Sequence, residues 1–140
     1  MRVFLDTNVI LDVLANREPF VTDSAAVLSL VESRTLEGFI AGHTVTTLFY
    51  LLRREVGGKK AGAVLMDLLR VVEIVAVDQD RIYQALSMEW DDFEDAGQAS
   101  CAAKAEADYL LTRDKEGFRG SHTPILSPAE FVALHGRVAE

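Results

Sequence analysis

The sequence predicts an α/β fold with a mainly parallel central sheet of four to five strands. Two observations carry this. Short apolar runs alternate along the whole chain with longer segments whose apolar residues recur at helical spacing. Two of these runs, RVFL and DYLL, lead into acids, Asp6 and Asp114, and in an open α/β sheet the C-terminal edge of the strands is where ligands bind. With 140 residues, the chain is expected to form one domain over 1–140.

Residues 2–5, RVFL, form the first strand, ended by Asp6. NVILDVLANR follows as a helix with Val9, Ile10, Val13 and Leu14 on one face, stopped by Pro19. Thr22, Asp23 or Ser24 caps a second helix through AAVLSLVESR. Gly38 opens the strand GFIA. A third helix starts near Thr44 and places Val45, Leu48, Phe49 and Leu52 at i, i+3, i+4 and i+7. Gly57-Gly58 ends it, and KKAGAVLMDLLR is the next helix. VEIVAV is a β-branched strand. Asp78 caps QDRIYQALSM, and Asp91 or Asp92 caps the Ala-rich FEDAGQASCAAKAEA. DYLL is the fourth strand, and Pro124-Ile125-Leu126 a short fifth. Gly117 to Thr123 is loop. Ser127-Pro128-Ala129-Glu130 has the residues of a helix start and leads into FVALHGR.

The composition, 49% hydrophobic and 26% charged, is that of a globular protein. There is no apolar stretch of membrane-spanning length and no signal peptide at MRVFLDTN, so a cytoplasmic protein without a membrane partner is expected. The single cysteine, Cys101, excludes an intramolecular disulfide and is read as packing. A net charge of −8 argues against a nonspecific nucleic-acid binder. The objection weakens if several acids belong to a site whose field a bound cation inverts. Arg53, Arg54, Lys59 and Lys60 are grouped, as a solvated helix end or as a surface for phosphate or a partner.

Taken singly, Asp6 is a helix cap and Asp114 a turn residue. Asp92 and Asp95 stand three apart, on one side of a first helical turn where the dipole favours acids. Asp91, Asp92, Glu94 and Asp95 together carry more negative charge than a cap needs. Adjacent carboxylates raise one another's pKa unless a cation compensates. A hard divalent ion such as Mg²⁺ or Mn²⁺ is the matching cation, with ordinary solvation as the alternative.

FLDTNVILDVL, then DFEDAGQASCAAKAEADYLLTRDKEGF, with the helix order between them, resembles the PIN domain, in particular small bacterial proteins of the VapC toxin type. The likeness covers essentially the whole chain. It implies a three-layer α/β/α fold and an endoribonuclease that hydrolyses RNA phosphodiesters with a water activated by Mg²⁺ or Mn²⁺. It also implies a homodimer and an antitoxin partner. Carried over by position, Asp6, Asp95 and Asp114 match the acids that hold metal, and Asp92 an accessory acid, ligand or base. Asn8 and Thr112 match supporting polar residues, and Arg113 is a candidate phosphate contact or a surface turn residue. One departure stands out. The family usually has a Glu early in the third helix, and Thr47 is read as the matching position; no acid lies between Gly38 and Arg54. Thr47 is expected to hold at most a metal-bound water.

Cys101, His43, His122 and His135 lack partners for a covalent route, and His43 is read as a loop or cap residue. Trp90, Phe49, Tyr50 and Phe93 suit base stacking, with core or interface packing as the default. The first functional expectation is thus a toxin ribonuclease. The alternative is a catalytically weakened PIN-like module for RNA binding or protein interaction. A small-molecule phosphohydrolase ranks last.

Overall fold

The computed structural model describes residues 1–135. Its strands are β1 Arg2–Leu5, β2 Glu37–Ala41, β3 Val72–Val75, β4 Tyr109–Leu111 and β5 Ile125–Leu126. All pair in parallel, in the order β3-β2-β1-β4-β5. The helices are α1 Thr7–Leu14, α2 Val21–Glu32, α3 Gly42–Val56, α4 Gly58–Leu68, α5 Gln79–Met88, α6 Phe93–Lys104 and α7 Pro128–His135, with a short 3-10 turn at Glu116–Phe118.

Because β1 lies at the centre, both of its faces are covered, and its residues are apolar without alternation. The pleat sends Val3 and Leu5 into one core, with Val9, Ile10, Val27, Leu48, Leu65 and Phe131 from α1 to α4 and α7. It sends Phe4 into the other core, with Phe39, Ala99, Cys101, Ala102 and Phe118. The result is the expected three-layer α/β/α arrangement. Helix α6 is buried without interruption from Ala96 to Ala102. Its small side chains let the helix lie against the sheet, so its composition is Ala-rich rather than amphipathic. Burial pushes the Cys101 thiol up to about 11, so it stays protonated and packs as a small apolar group.

The boundaries differ from expectation where backbone conformation, rather than composition, decides them. Helix α1 ends at Leu14, before Pro19, and Asn16 adopts a left-handed φ of 51°. Helix α2 starts at Val21, so Thr22, Asp23 and Ser24 fall inside its first turn and none serves as its cap. Helix α3 begins at Gly42, ahead of Thr44. Gly57, at φ 83°, separates α3 from α4, and Gly58 already belongs to α4. Strand β3 stops at Val75, and α6 stops at Lys104, before the left-handed Glu106. The expected cap holds at Asp78, which accepts from Arg81 N at 3.1 Å. At Ser127 the capping box is complete: Glu130 N donates to Ser127 Oγ and Ser127 N to Glu130 Oε1. Gly136 and Arg137 of the predicted last helix lie outside the described residues. Among the described residues no helix is long and apolar enough to cross a membrane.

Parallel pairing puts all strand C-termini on one edge. Leu5 faces Leu111 across the β1–β4 ladder, so the residues that follow, Asp6 and Thr112, emerge side by side although they are far apart in the chain.

Candidate active site

Asp6 is only 3% exposed. It occupies the N-cap position of α1, yet its side chain makes no cap hydrogen bond. Instead Oδ1 accepts from Gln98 Nε2 at 2.9 Å and Oδ2 accepts from Thr112 Oγ1 at 2.8 Å. Burial raises the Asp6 pKa, and the Thr112 and Gln98 hydrogen bonds, with the nearby backbone N–H groups of Asn8 and Thr7, hold the rise in check. The cap reading of Asp6 is therefore replaced by a carboxylate held from α6 and from the residue after β4.

Thr112 is fully buried and joins two acids. While donating to Asp6, its hydroxyl accepts from Asp114 N at 3.0 Å. Asp114 Oδ1 in turn accepts from Gly117 N at 3.2 Å, which shapes the turn beyond β4. Gly117 lies close to two acids at once. A Cβ there would stand 2.6 Å from Asp114 Oδ2 and 3.0 Å from Asp95 Oδ2. These two oxygens, from different elements, thus border one small space that only a glycine leaves open.

Asp95 is half-buried on the first turn of α6, and its pKa is pushed up to about 7. Burial is the largest cause, followed by the charges of Asp92, Asp6, Asp114 and Glu94. Asp92 is exposed and serves as the N-cap, accepting from Asp95 N at 3.0 Å. The structure thus gathers Asp6, Asp95 and Asp114, with Asp92 at the rim and partly committed to the cap. Among the described residues no three Asp, Glu, His or Cys side chains are arranged about a single ion position. The donor set nevertheless fits Mg²⁺, which takes one or two carboxylates and keeps several waters; Asp95 and Asp114 are the pair so placed.

The remaining sequence-predicted residues are more dispersed. Asn8 is exposed, in the first turn of α1 next to Asp6. Thr47 is half-buried and makes no side-chain hydrogen bond among the described residues. The α3 residue that reaches this edge through a side chain is Thr44, whose Oγ1 lies 2.7 Å from Thr7 Oγ1. Arg113 is engaged with Asp12: Nε donates to Oδ2 at 2.8 Å and Nη2 to Oδ1 at 3.2 Å. His43 lies inside the start of α3 and close to Gly97, rather than in a loop; Nε2 has no partner, and burial lowers its pKa. Trp90 packs edge-on against Phe118, and Phe49 packs on the core, as the default had it. Tyr50 and Phe93 are exposed instead.

Sequence reasoning missed Gln98, Thr44 and Asp12. Gln98 is 1% exposed and bridges two elements, since its Oε1 also accepts from Thr7 N at 3.1 Å. The available signal was one long polar side chain inside the small-residue run AGQASCAA. Asp12 is 0% exposed; an acid within the apolar run VILDVL had to be paired.

A family model for the PIN domain matches residues 2–116. The chain belongs to the PIN domain family. Among curated relatives, this PIN domain is similar to Ribonuclease VapC1 of Aquifex aeolicus, 26% identical over 135 residues, spanning 93% of this chain and 92% of the relative. Its fold matches VapBC2 from Rickettsia felis bound to a promoter DNA fragment, with a TM-score of 0.70 at 18% identity, over 91% of this chain and 98% of that one. It also matches a toxin-antitoxin complex from Klebsiella pneumoniae, with a TM-score of 0.70 at 19% identity, over 90% and 97%.

Proposed function

We propose that this PIN domain is a metal-dependent endoribonuclease and the toxin of a toxin–antitoxin pair. The observation that carries the reading is the convergence of Asp6, Asp95 and Asp114 at the C-terminal sheet edge, with Oδ2 of Asp95 and of Asp114 bordering one space beside Gly117, and all three close enough that the charges of Asp6 and Asp114 add to the burial that raises Asp95. The ribonuclease name of the Aquifex relative and the toxin-antitoxin nature of the structural neighbours support it.

Asp95 and Asp114 would hold Mg²⁺ or Mn²⁺, with Asp6 behind them and Asp92 at the rim. The bound ion supplies an acidified water and a counter-charge for the phosphate. The chain's own part is positional. Gln98 and Thr112 keep the Asp6 carboxylate oriented toward the edge. Thr112 also ties the Asp114 backbone to it. Gly117 keeps the space between Asp95 and Asp114 clear. Asp92 is the candidate proton acceptor for the attacking water, at the rim where solvent enters. A homodimer, an antitoxin that covers the acidic edge and a cytoplasmic location belong to the same reading.

The second reading, a weakened module that binds RNA or protein, is favoured by one feature: α3 brings threonine rather than a carboxylate toward this edge. One experiment separates the two. Purified protein is incubated with structured and unstructured RNA and Mn²⁺ or Mg²⁺, beside Asp6→Asn and Asp95→Asn. Metal-dependent cleavage lost in both variants supports the nuclease. Equal cleavage by parent and variants points to a contaminating ribonuclease and sinks it; binding without cleavage leaves the weakened module.

A further inference from the structure

A cleft of about 370 Å³ is lined by Phe20, Asp23 and Ser24 near the start of α2, by Arg113, and by Ser127 and Pro128 at the start of α7. Two of its residues have polar capacity that internal packing leaves unused. Ser24 is 1% exposed and its Oγ has no hydrogen-bond partner among the described residues, although buried hydroxyls are ordinarily satisfied. Arg113 spends Nε and Nη2 on Asp12, while Nη1 makes no hydrogen bond among the described residues.

The charge arrangement shows what the cleft suits. Asp12 is wholly buried and shared by two arginines, Arg113 at 2.8 Å and Arg17 at 4.0 Å. Arg113, the direct neighbour of Asp114, is thus the cation that lines the cleft, where Asp23 is the facing acid. The Arg113 guanidinium also lies over the ring of Phe20, 4.1 Å from its centroid, and Phe20 is 40% exposed. The site therefore offers a cationic fork for phosphate and an aromatic surface for a base. It adds a donor and an acceptor, Ser24 and Asp23, for a hydroxyl that is itself both, as the ribose 2′-OH is. A protein segment would use the apolar walls but has no general need of the guanidinium edge. Arg113 directly precedes Asp114 in the chain, which ties the cleft to the acidic edge.

We propose that this cleft is the subsite for the nucleotide adjoining the scissile phosphodiester, with Arg113 on its phosphate, Ser24 and Asp23 on its ribose, and Phe20 on its base. This rests on the ribonuclease reading above but is tested by binding alone. The probe is a labelled single-stranded oligouridylate, followed by fluorescence anisotropy with Mg²⁺ in an Asp95→Asn background. Phe20→Ala weakens binding about tenfold, in line with the loss of one stacked base. Ser24→Ala weakens it about threefold, and less for the matching deoxyoligonucleotide. Tyr83→Ala, on exposed α5, leaves it unchanged. Phe20→Leu serves if Phe20→Ala does not fold. Equal RNA binding by parent and cleft variants overturns the proposal and leaves the cleft to a protein segment. If the variants weaken binding but the parent never cleaves RNA, the subsite stands and the nuclease reading falls. If the parent cleaves and the variants bind as it does, the reverse holds.

Discussion

Asp6 is buried and acidic, and what makes that tolerable is a set of donors from other elements. Gln98→Leu removes one of them and places an apolar group against the carboxylate. It is expected to destabilise the protein by about 1–3 kcal/mol, read by urea unfolding; a variant as stable as the parent would show that the bond contributes nothing. Asp95 is raised by its burial first, and then by the charges of Asp92, Asp6, Asp114 and Glu94. Its pKa rises from 3.8 to about 7 on folding. Between those values the native state holds a proton that the unfolded chain has released. Metal-free stability therefore falls as pH rises from about 4 to about 7, and then levels off. Asp95→Asn removes this dependence. In chelator at pH 8 it should be more stable than the parent by about 1–2 kcal/mol, a figure reduced for solvent screening of a half-open carboxyl. The gap should close by pH 4, and urea titrations at the two pH values measure it.

The Asp12–Arg113 pair connects α1 to the residues after β4, across 101 positions of sequence. Its two halves are not equivalent. Arg113→Ala leaves a wholly buried carboxylate with only Arg17 near it, and about 3 kcal/mol of destabilisation is expected. Asp12→Ala leaves a guanidinium that can turn to solvent, so it should cost clearly less in the same chemical-unfolding measurement. Such pairings mark the limit of what the sequence shows. Alternating strand and helix patterns made the layers legible, and the chemistry of Asp78 and Ser127 marked two helix starts. The acids followed from their places after RVFL and DYLL. The stop at Leu14, with Asn16 left-handed just beyond it, rather than at Pro19, depends on a backbone angle that composition does not reveal. Gln98 stayed hidden because one polar residue in an Ala-rich helix looks the same whether it faces water or a carboxylate. Tyr50 and Phe93 were expected in the core or at an interface because aromatic rings usually pack; their exposure in the single chain depends on which helix face the sheet leaves uncovered.

For the whole molecule, the acidic edge is a region of stored repulsion that a cation relieves. Mn²⁺ or Mg²⁺ at about a hundredfold excess over its Kd should stabilise the fold by about 2.7 kcal/mol, seen as a higher Tm at pH 7.5. A Tm indifferent to both ions would count against metal binding and against the nuclease reading with it. The strand order β3-β2-β1-β4-β5 has a further consequence, in time rather than in space. Strand β1 is made long before its second neighbour, β4, which pairs with it from more than a hundred residues further along the chain. Until Tyr109–Leu111 dock, Asp6 has no Thr112 to hold it and no Asp114 beside it. An unfinished chain still attached to its ribosome therefore carries no assembled site. The acidic edge comes together only once the chain has been made past Asp114, more than a hundred residues after Asp6.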